Sequence, residues 1–140
     1  MNEIVKLGAD RAPEIARLNK LLIQDERHAN RMSESELEAR MQNWLTSVYQ
    51  SYGVVSDGQI ICYSLWRDDG DYYYMRQLFT LREFRRQGLA RELLSFLEKN
   101  VYSDKPIRLE VLAGNAEAQS FYRSVGYQLY CQTMLKDPTS

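Results

Sequence analysis

The sequence contains only 3 prolines and 7 glycines in 140 residues, which sets it apart from collagen-like, linker-rich or disordered chains. Long apolar runs are missing as well: none approaches the roughly 20 residues needed to cross a bilayer, and the N-terminus lacks the charged and apolar regions of a signal peptide. The expectation is a cytoplasmic protein with no membrane partner. Cysteine is scarce, with Cys62 and Cys131 far apart, no C-x-x-C spacing and His28 as the one histidine. This argues against a structural zinc site or a disulfide framework and predicts no metal, with both cysteines packed as small apolar residues. A Cys–His nucleophile pair stays open beside that reading. Nor is one sign of charge in excess. The 18 Lys and Arg balance 19 Asp and Glu, for a net charge of -1, so bulk electrostatics gives no case for nucleic acid, and any basic site must be local.

What is present suits one globular domain, expected to span residues 1–140: 44% hydrophobic and 26% charged residues, in a chain long enough to bury a core. Ile4, Val5 and Leu7 before Gly8 predict a short strand. Asp10 offers an N-cap and Pro13 fits a first turn, while Ile15, Leu18 and Leu22 carry a helix to about Arg27. A polar loop follows. Ser33 and Glu36 form an S-x-x-E capping box, with Met32 and Leu37 placed as a hydrophobic staple. Leu37, Met41, Trp44, Leu45 and Val48 extend that helix to about Tyr49. Residues 52–56 and 59–66 read as strands joined by Asp57-Gly58 in a type I′ hairpin, and residues 72–80 complete a meander.

A helix is predicted from near Gly88 to about Asn100, then a strand after Pro106 with Ile107, Leu109 and Val111 on one face. Asn115 is a natural N-cap for a helix carrying Ala118, Phe121, Tyr122 and Val125. Gly126 ends it and residues 127–135 form a last strand. The order β-α-α-β-β-β-α-β-α-β gives an α/β (α+β) fold with a central mixed, twisted sheet and helices on both faces.

The densest chemical signal is Gln77-Leu78-Phe79-Thr80 leading through Arg85-Arg86-Gln87-Gly88-Leu89-Ala90-Arg91 into a helix. The first turn of a helix has N–H groups without intrahelical partners and a partial positive charge, and flanking arginines add charge-assisted hydrogen bonds. Gly88 and Ala90 remove bulk there, as a pyrophosphate cradle requires. Neither the Walker A pattern nor the G-x-G-x-x-G fingerprint is present. A solvated arginine cluster ahead of an amphipathic helix remains the plain alternative on this string alone.

In its place in the chain, the segment resembles the acetyl-CoA motif [Q/R]-x-x-G-x-[G/A] of the GNAT (GCN5-related) N-acetyltransferases, through Arg85, Gly88 and Ala90. A second block is similar to that family's L-x-V-x-x-x-N-x-x-A-x-x-x-Y-x-x-x-G-[F/Y]: Leu109, Val111, Asn115, Ala118 and Tyr122 through Gly126-Tyr127. The resemblance implies acetyl-CoA as cosubstrate. Backbone groups of Leu78, Phe79 and Thr80 would hold the pantetheine arm, and amides from Arg86 to Arg91 the pyrophosphate. Asn115 would contact the arm from the other side, at a gap where the strands around Phe79 and Val111 splay apart. A backbone N–H near Phe79 would stabilise the oxyanion.

Acetyl transfer to an amine needs a base for the ammonium proton and a proton donor for the departing thiolate. The resemblance gives these roles to Glu110 and Tyr122 respectively. The alternatives are a core tyrosine at 122, and at 110 a surface carboxylate paired with Arg108 or Arg123, with a water chain as base. The sequence departs from the family in lacking a Pro after the pantetheine strand and any carboxylate between Tyr72 and Thr80. Gln77, Glu110, Glu26 and His28 are left as base candidates. Asp25, Glu26 and His28 fall on the segment that commonly lines the acceptor site in the family, suited to a cationic amine, with an ordinary solvated loop as the alternative.

The expectation is direct attack in a ternary complex, on a small-molecule amine first and a protein amino group second. A non-catalytic acyl-CoA binding module and a nucleotide-binding domain are the competing readings. The family often forms homodimers.

Overall fold

The computed structural model describes residues 2–26 and 30–138. His28 lies outside the described residues. Two compact units are formed, Met1–Glu110 and Val111–Ser140.

The first unit is built on a five-stranded sheet in the order β1-β2-β3-β4-β5, comprising β1 (Asn2–Leu7), β2 (Tyr49–Ser56), β3 (Gln59–Asp68), β4 (Tyr73–Thr80) and β5 (Ile107–Leu109). The first three pairings are antiparallel and β4–β5 is parallel. The β2–β3 hairpin turns at Asp57 and Gly58, with φ of 50° and 80°. These positive angles are those a type I′ turn demands, and its twist matches the strands. Gly53 on β2 is there for space: a Cβ would stand 2.8 Å from the Cys62 carbonyl oxygen and 2.7 Å from Leu7 Cδ1.

Helices α1 (Ala12–Asp25) and α2 (Glu34–Leu45) pack on one sheet face, and α3 (Leu89–Asn100) is the crossover between β4 and β5. A 3-10 turn, Ala9–Arg11, precedes α1, so Asp10 is not its N-cap and Pro13 sits in its first turn. Both halves of the predicted capping box form at the start of α2: Ser33 Oγ accepts from the Glu36 amide at 3.1 Å and Glu36 Oε1 from the Ser33 amide at 2.9 Å. Met32 packs on Ala16, Ile23 and Leu37, which is the staple. This helix stops at Leu45 rather than about Tyr49, because Tyr49 already pairs with Arg67 in the β2–β3 ladder. The core lies on both sheet faces, with Ile15, Leu37, Met41, Tyr63, Leu93 and Leu97 among its fully buried side chains.

In the second unit α4 (Ala116–Ser124) is capped by Asn115, whose Oδ1 accepts from the Ala118 amide at 3.1 Å. Gly126 takes φ 102° just beyond its end. The expected last strand does not form: residues 127–138 carry no regular structure. A strand exists only through a ladder with a neighbour, and this segment leaves Leu129, Tyr130, Met134 and Leu135 exposed. Cys131 is exposed too, which corrects the expectation that both cysteines are packed. Cys62 does pack, and burial pushes its thiol up to about 11. Among the described residues no group of His, Cys, Asp and Glu could hold a metal, and no helix is long and apolar enough to cross a membrane.

Candidate active site

The site begins with an irregularity in β4. Its register against β3 runs evenly from Cys62–Thr80 to Leu65–Gln77 and then jumps to Trp66–Met75. Arg76 is the extra residue. Such a bulge bends its strand and re-aims side chains, here bringing Arg76 onto the sheet face that carries Tyr74, Tyr63 and Phe79. The parallel ladder with β5 ends at the same place, its last pair being Met75–Leu109. Beyond that pair, residues 76–80 of β4 have no β5 partner.

Which amides this opens follows from the ladder. Leu81 N–H donates to the Ile61 carbonyl at 2.9 Å, so 61–81 is a hydrogen-bonded pair. By alternation, 63–79 is another. The Phe79 amide is thus turned toward Tyr63, and Leu78 and Thr80 present their backbone groups to the open edge. The expectation of an oxyanion donor near Phe79 therefore falls on its neighbours. Arg85 Nε already donates to the Thr80 carbonyl at 2.9 Å.

From Thr80 the chain runs through a 3-10 turn, Arg82–Phe84, into α3. Arg86 (φ 65°) and Gly88 (φ 77°) are both left-handed. A non-glycine residue held this way costs about 1 kcal/mol or more and persists where its surroundings over-determine it. Gly88 then passes directly into helical backbone, a sequence that turns successive amides to one side as an anion-binding concavity. No side chain caps this helix start, unlike α2 and α4. Arg85, Arg86, Gln87 and Gly88 are exposed, Leu89 is buried, and Ala90 is half-buried.

Asp25, expected on the acceptor side, is ion-paired with the two arginines of the segment that leads to α3. Its carboxylate takes Arg85 Nη2 at 2.5 Å and Arg82 Nη2 at 3.2 Å. Burial pushes its pKa up, but hydrogen bonds and charge from Arg85 and then Arg82 outweigh that and hold it below the usual carboxylate value. Its charge is thus met within the chain. Glu26 caps α1 at the surface, with its charge near the Tyr63 phenol. Burial, opposed by Arg40 and aided by Glu26, drives that phenol far above its ordinary value. The Tyr63 hydroxyl donates to Gln77 Oε1 at 2.8 Å.

Glu110 follows β5 and is exposed, and its Oε1 accepts the Tyr74 hydroxyl at 2.7 Å. Burial first, and then this bond, push the Tyr74 phenol up to about 12. The Arg108 guanidinium lies 4.0 Å from the centroid of the Tyr72 ring. Tyr122 lies on α4 in the second unit with its ring 5.3 Å from Phe121 and 5.4 Å from Tyr127, and Asn115 is that helix's cap.

Sequence reasoning missed Tyr74 and Arg76 on β4, Tyr49 at the start of β2, and Arg40 and Trp44 on α2. Tyr74 and Arg76 stand two apart and Arg40 and Trp44 four apart, spacings that share a face in a strand and a helix. The bulge that joins these pairs left no sequence signal.

A model of the acetyltransferase (GNAT) domain matches residues 14–137. An uncharacterized N-acetyltransferase of Bacillus subtilis, YesJ, is 35% identical over 69 residues, which cover 46% of this chain and 38% of the relative's own length. Among solved structures, a possible acetyltransferase from Clostridium difficile superposes with a TM-score of 0.82 at 15% identity, over 100% of this chain and 99% of that one. An aminoglycoside N-acetyltransferase in complex with CoA gives 0.79 at 14% identity, over 100% and 96%. A ribosomal-protein-alanine N-acetyltransferase from Brucella melitensis gives 0.75 at 14%, over 98% and 99%. At these identities the likeness is one of fold.

Proposed function

The chain belongs to the GNAT acetyltransferase family, and from that premise we propose that it is an N-acetyltransferase moving the acetyl group of acetyl-CoA to the primary amine of a small molecule. The family model runs across both units, which supports reading residues 1–140 as one acetyltransferase domain. The observation that carries the proposal is the β4 edge: without a β5 partner beyond Met75–Leu109, it leads through the Arg82–Phe84 turn to the uncapped start of α3. In this reading the edge groups of Leu78 and Thr80 hold the pantetheine arm, Phe79 keeps the strand in place, and Asn115 contacts the arm. The amides of Arg86, Gln87, Gly88, Leu89, Ala90 and Arg91, with the Arg85 side chain, hold the diphosphate.

Glu110 takes the ammonium proton, directly or through water, and leaves a neutral amine. That nitrogen attacks the thioester carbon, an edge amide holds the developing oxyanion, the C–S bond breaks as the oxyanion collapses, Tyr122 protonates the departing thiolate, and the second proton shed by the acylated nitrogen passes through water to restore the Tyr122 phenol. No covalent enzyme intermediate is involved. The aminoglycoside acetyltransferase among the fold neighbours supports a small-molecule acceptor; the ribosomal-protein-alanine acetyltransferase keeps a protein amino group as the second reading.

The test is calorimetric titration with CoA, with ATP as competitor, followed by thiol release from acetyl-CoA across an amine panel. Saturable CoA binding and amine-dependent release are expected. Binding without release would make the chain a non-catalytic acyl-CoA module, competition by ATP equal to CoA would favour a nucleotide site, and absence of CoA binding would sink the reading.

A further inference from the structure

Arg40 and Trp44 stand one helical turn apart on α2, and the β4 bulge sets Arg76 against them. The Arg40 guanidinium carbon lies 4.3 Å from the centroid of the Trp44 ring and that of Arg76 lies 4.7 Å from it. Among the described residues neither arginine makes an ion pair. The third arginine of this face, Arg67, is by contrast matched by Asp69 at 2.7 Å and donates to the Tyr49 hydroxyl at 2.6 Å. Arg76 Nη1 reaches the same hydroxyl at 3.4 Å.

Arg40 is held at one end only, its Nη2 on Asn19 Oδ1 at 3.2 Å. Its Nε and the Asn19 amide nitrogen are both buried without a partner. Burial, and then the charge of Arg76, lower the Arg40 pKa. Both cations therefore lie against a single indole and sense one another, neither has a carboxylate partner among the described residues, and one has a buried donor unsatisfied. Placing like charges together and leaving a buried donor unmade are both costly unless an anion joins them. Arg76 is exposed and Arg40 half-buried, so Arg76 is the member of the pair that an incoming molecule meets first. Both Arg76 and Tyr49 act electrostatically on Tyr74, whose hydroxyl rests on Glu110. The cationic pair and the candidate base are thus neighbours on one surface of the first unit.

We propose that Arg40 and Arg76, gathered at Trp44, bind an anionic group of the acceptor, a carboxylate or phosphate, so that the substrate is an amine that also carries an oxyanion. The assignment rests on the acetyl-transfer reading and narrows its substrate class. The planar guanidinium suits either oxyanion, which it binds through paired donors.

The experiment offers the full chain matched primary amines differing only in an added carboxylate or phosphate, and follows thiol release from acetyl-CoA. Independently of turnover, the corresponding N-acetylated products are titrated by calorimetry. The anion-bearing member of at least one set is expected to lead in kcat/KM by about tenfold or more. Arg76→Gln, a surface change, brings that ratio to about one, and Arg76→Lys, which keeps the charge but not the fork, restores part of it. Whichever anion leads identifies the group.

A wild-type ratio of about one in every set, or a ratio untouched by Arg76→Gln, overturns the proposal and leaves acetyl transfer standing. If no amine releases thiol, the transfer reading fails and product binding decides. Anion-selective binding lost in Arg76→Gln upholds the site, and equal binding of charged and uncharged products removes it.

Discussion

The Tyr74 hydroxyl donates a 2.7 Å hydrogen bond to Glu110 Oε1, tying the strand beside the bulge to the residue that follows β5. This contact fixes a carboxylate next to the point where the two strands stop pairing, the place the acetyl-transfer reading gives to a base. Glu110→Gln is expected to lower kcat about 10²-fold near neutral pH. The deficit should shrink as pH rises toward the acceptor's own pKa, since solvent then supplies neutral amine. A pH–rate profile checks this, and a deficit equal at every pH would make Glu110 a structural residue.

The other end of that bond makes a prediction about stability. Burial and the bond to Glu110 push the Tyr74 phenol up to about 12, whereas in an unfolded chain it ionises near pH 10. A folded value raised above the unfolded one gives a contribution fully present below about pH 10, lost as pH climbs through the folded value. The wild-type chain should therefore lose stability between about pH 10 and 12, and Tyr74→Phe should decline less steeply. Denaturant midpoints on either side of that window measure the difference.

Asp25 titrates with the opposite sign. Arg85 and Arg82 hold its pKa down against burial, so its contribution is present above the unfolded carboxylate value and is lost as pH falls through the folded one. Arg82 is 78% exposed, so solvent screening limits the whole arrangement to no more than about 1 kcal/mol. Asp25→Asn is expected to cost that much at neutral pH and nothing measurable in acid. It should also weaken CoA binding, because Arg85 loses the anchor that sets it beside Thr80 and the start of α3. Urea denaturation at two pH values, paired with calorimetry, tests both halves.

Tyr122 lies on a helix whose cap and terminator are formed as Asn115 and Gly126 predict. Tyr122→Phe removes one oxygen and keeps the ring contacts with Phe121 and Tyr127. If the hydroxyl protonates the thiolate, kcat falls about 10²-fold while acetyl-CoA affinity is retained. Steady-state kinetics beside direct binding separate these, and unchanged turnover would remove Tyr122 as the acid.

Local rules carried much of this architecture into the sequence. The Ser33–Glu36 box, the Asp57-Gly58 turn and the Asn115 cap each depend on residues within a few positions of one another, and each forms as read. Helical spacing alone carries α2 on to about Tyr49, but Tyr49 answers to Arg67 across the sheet, a partner that such spacing cannot reveal, and the helix ends at Leu45. Residues 127–135 alternate like a strand, yet alternation records a preference for pairing and names no partner. The bulge at Arg76 is a count of β4 residues against β3, so it is invisible from either strand alone. The Arg40–Trp44–Arg76 group that gathers beside it is hidden with it. Asp25 illustrates the same limit. It ends α1, and only the fold shows Arg82 and Arg85 reaching it across more than fifty residues of chain.

Gly88 separates backbone need from ligand need. At φ 77° it is left-handed, and a Cβ built there meets nothing within 4 Å. Gly88→Ala should therefore cost roughly 1 kcal/mol through backbone strain alone, with no clash to add to it. Asparagine tolerates the left-handed region and caps helices well, so Gly88→Asn should recover most of that loss. A diphosphate seated on the first-turn amides would approach the space that either side chain fills. Both variants should then bind CoA more weakly by about tenfold, whatever their stability. Thermal melts and CoA titrations on the two proteins give independent readings. If Gly88→Asn is stable and binds CoA as tightly as the wild type, the glycine serves the backbone alone, and the diphosphate must be held elsewhere along the loop.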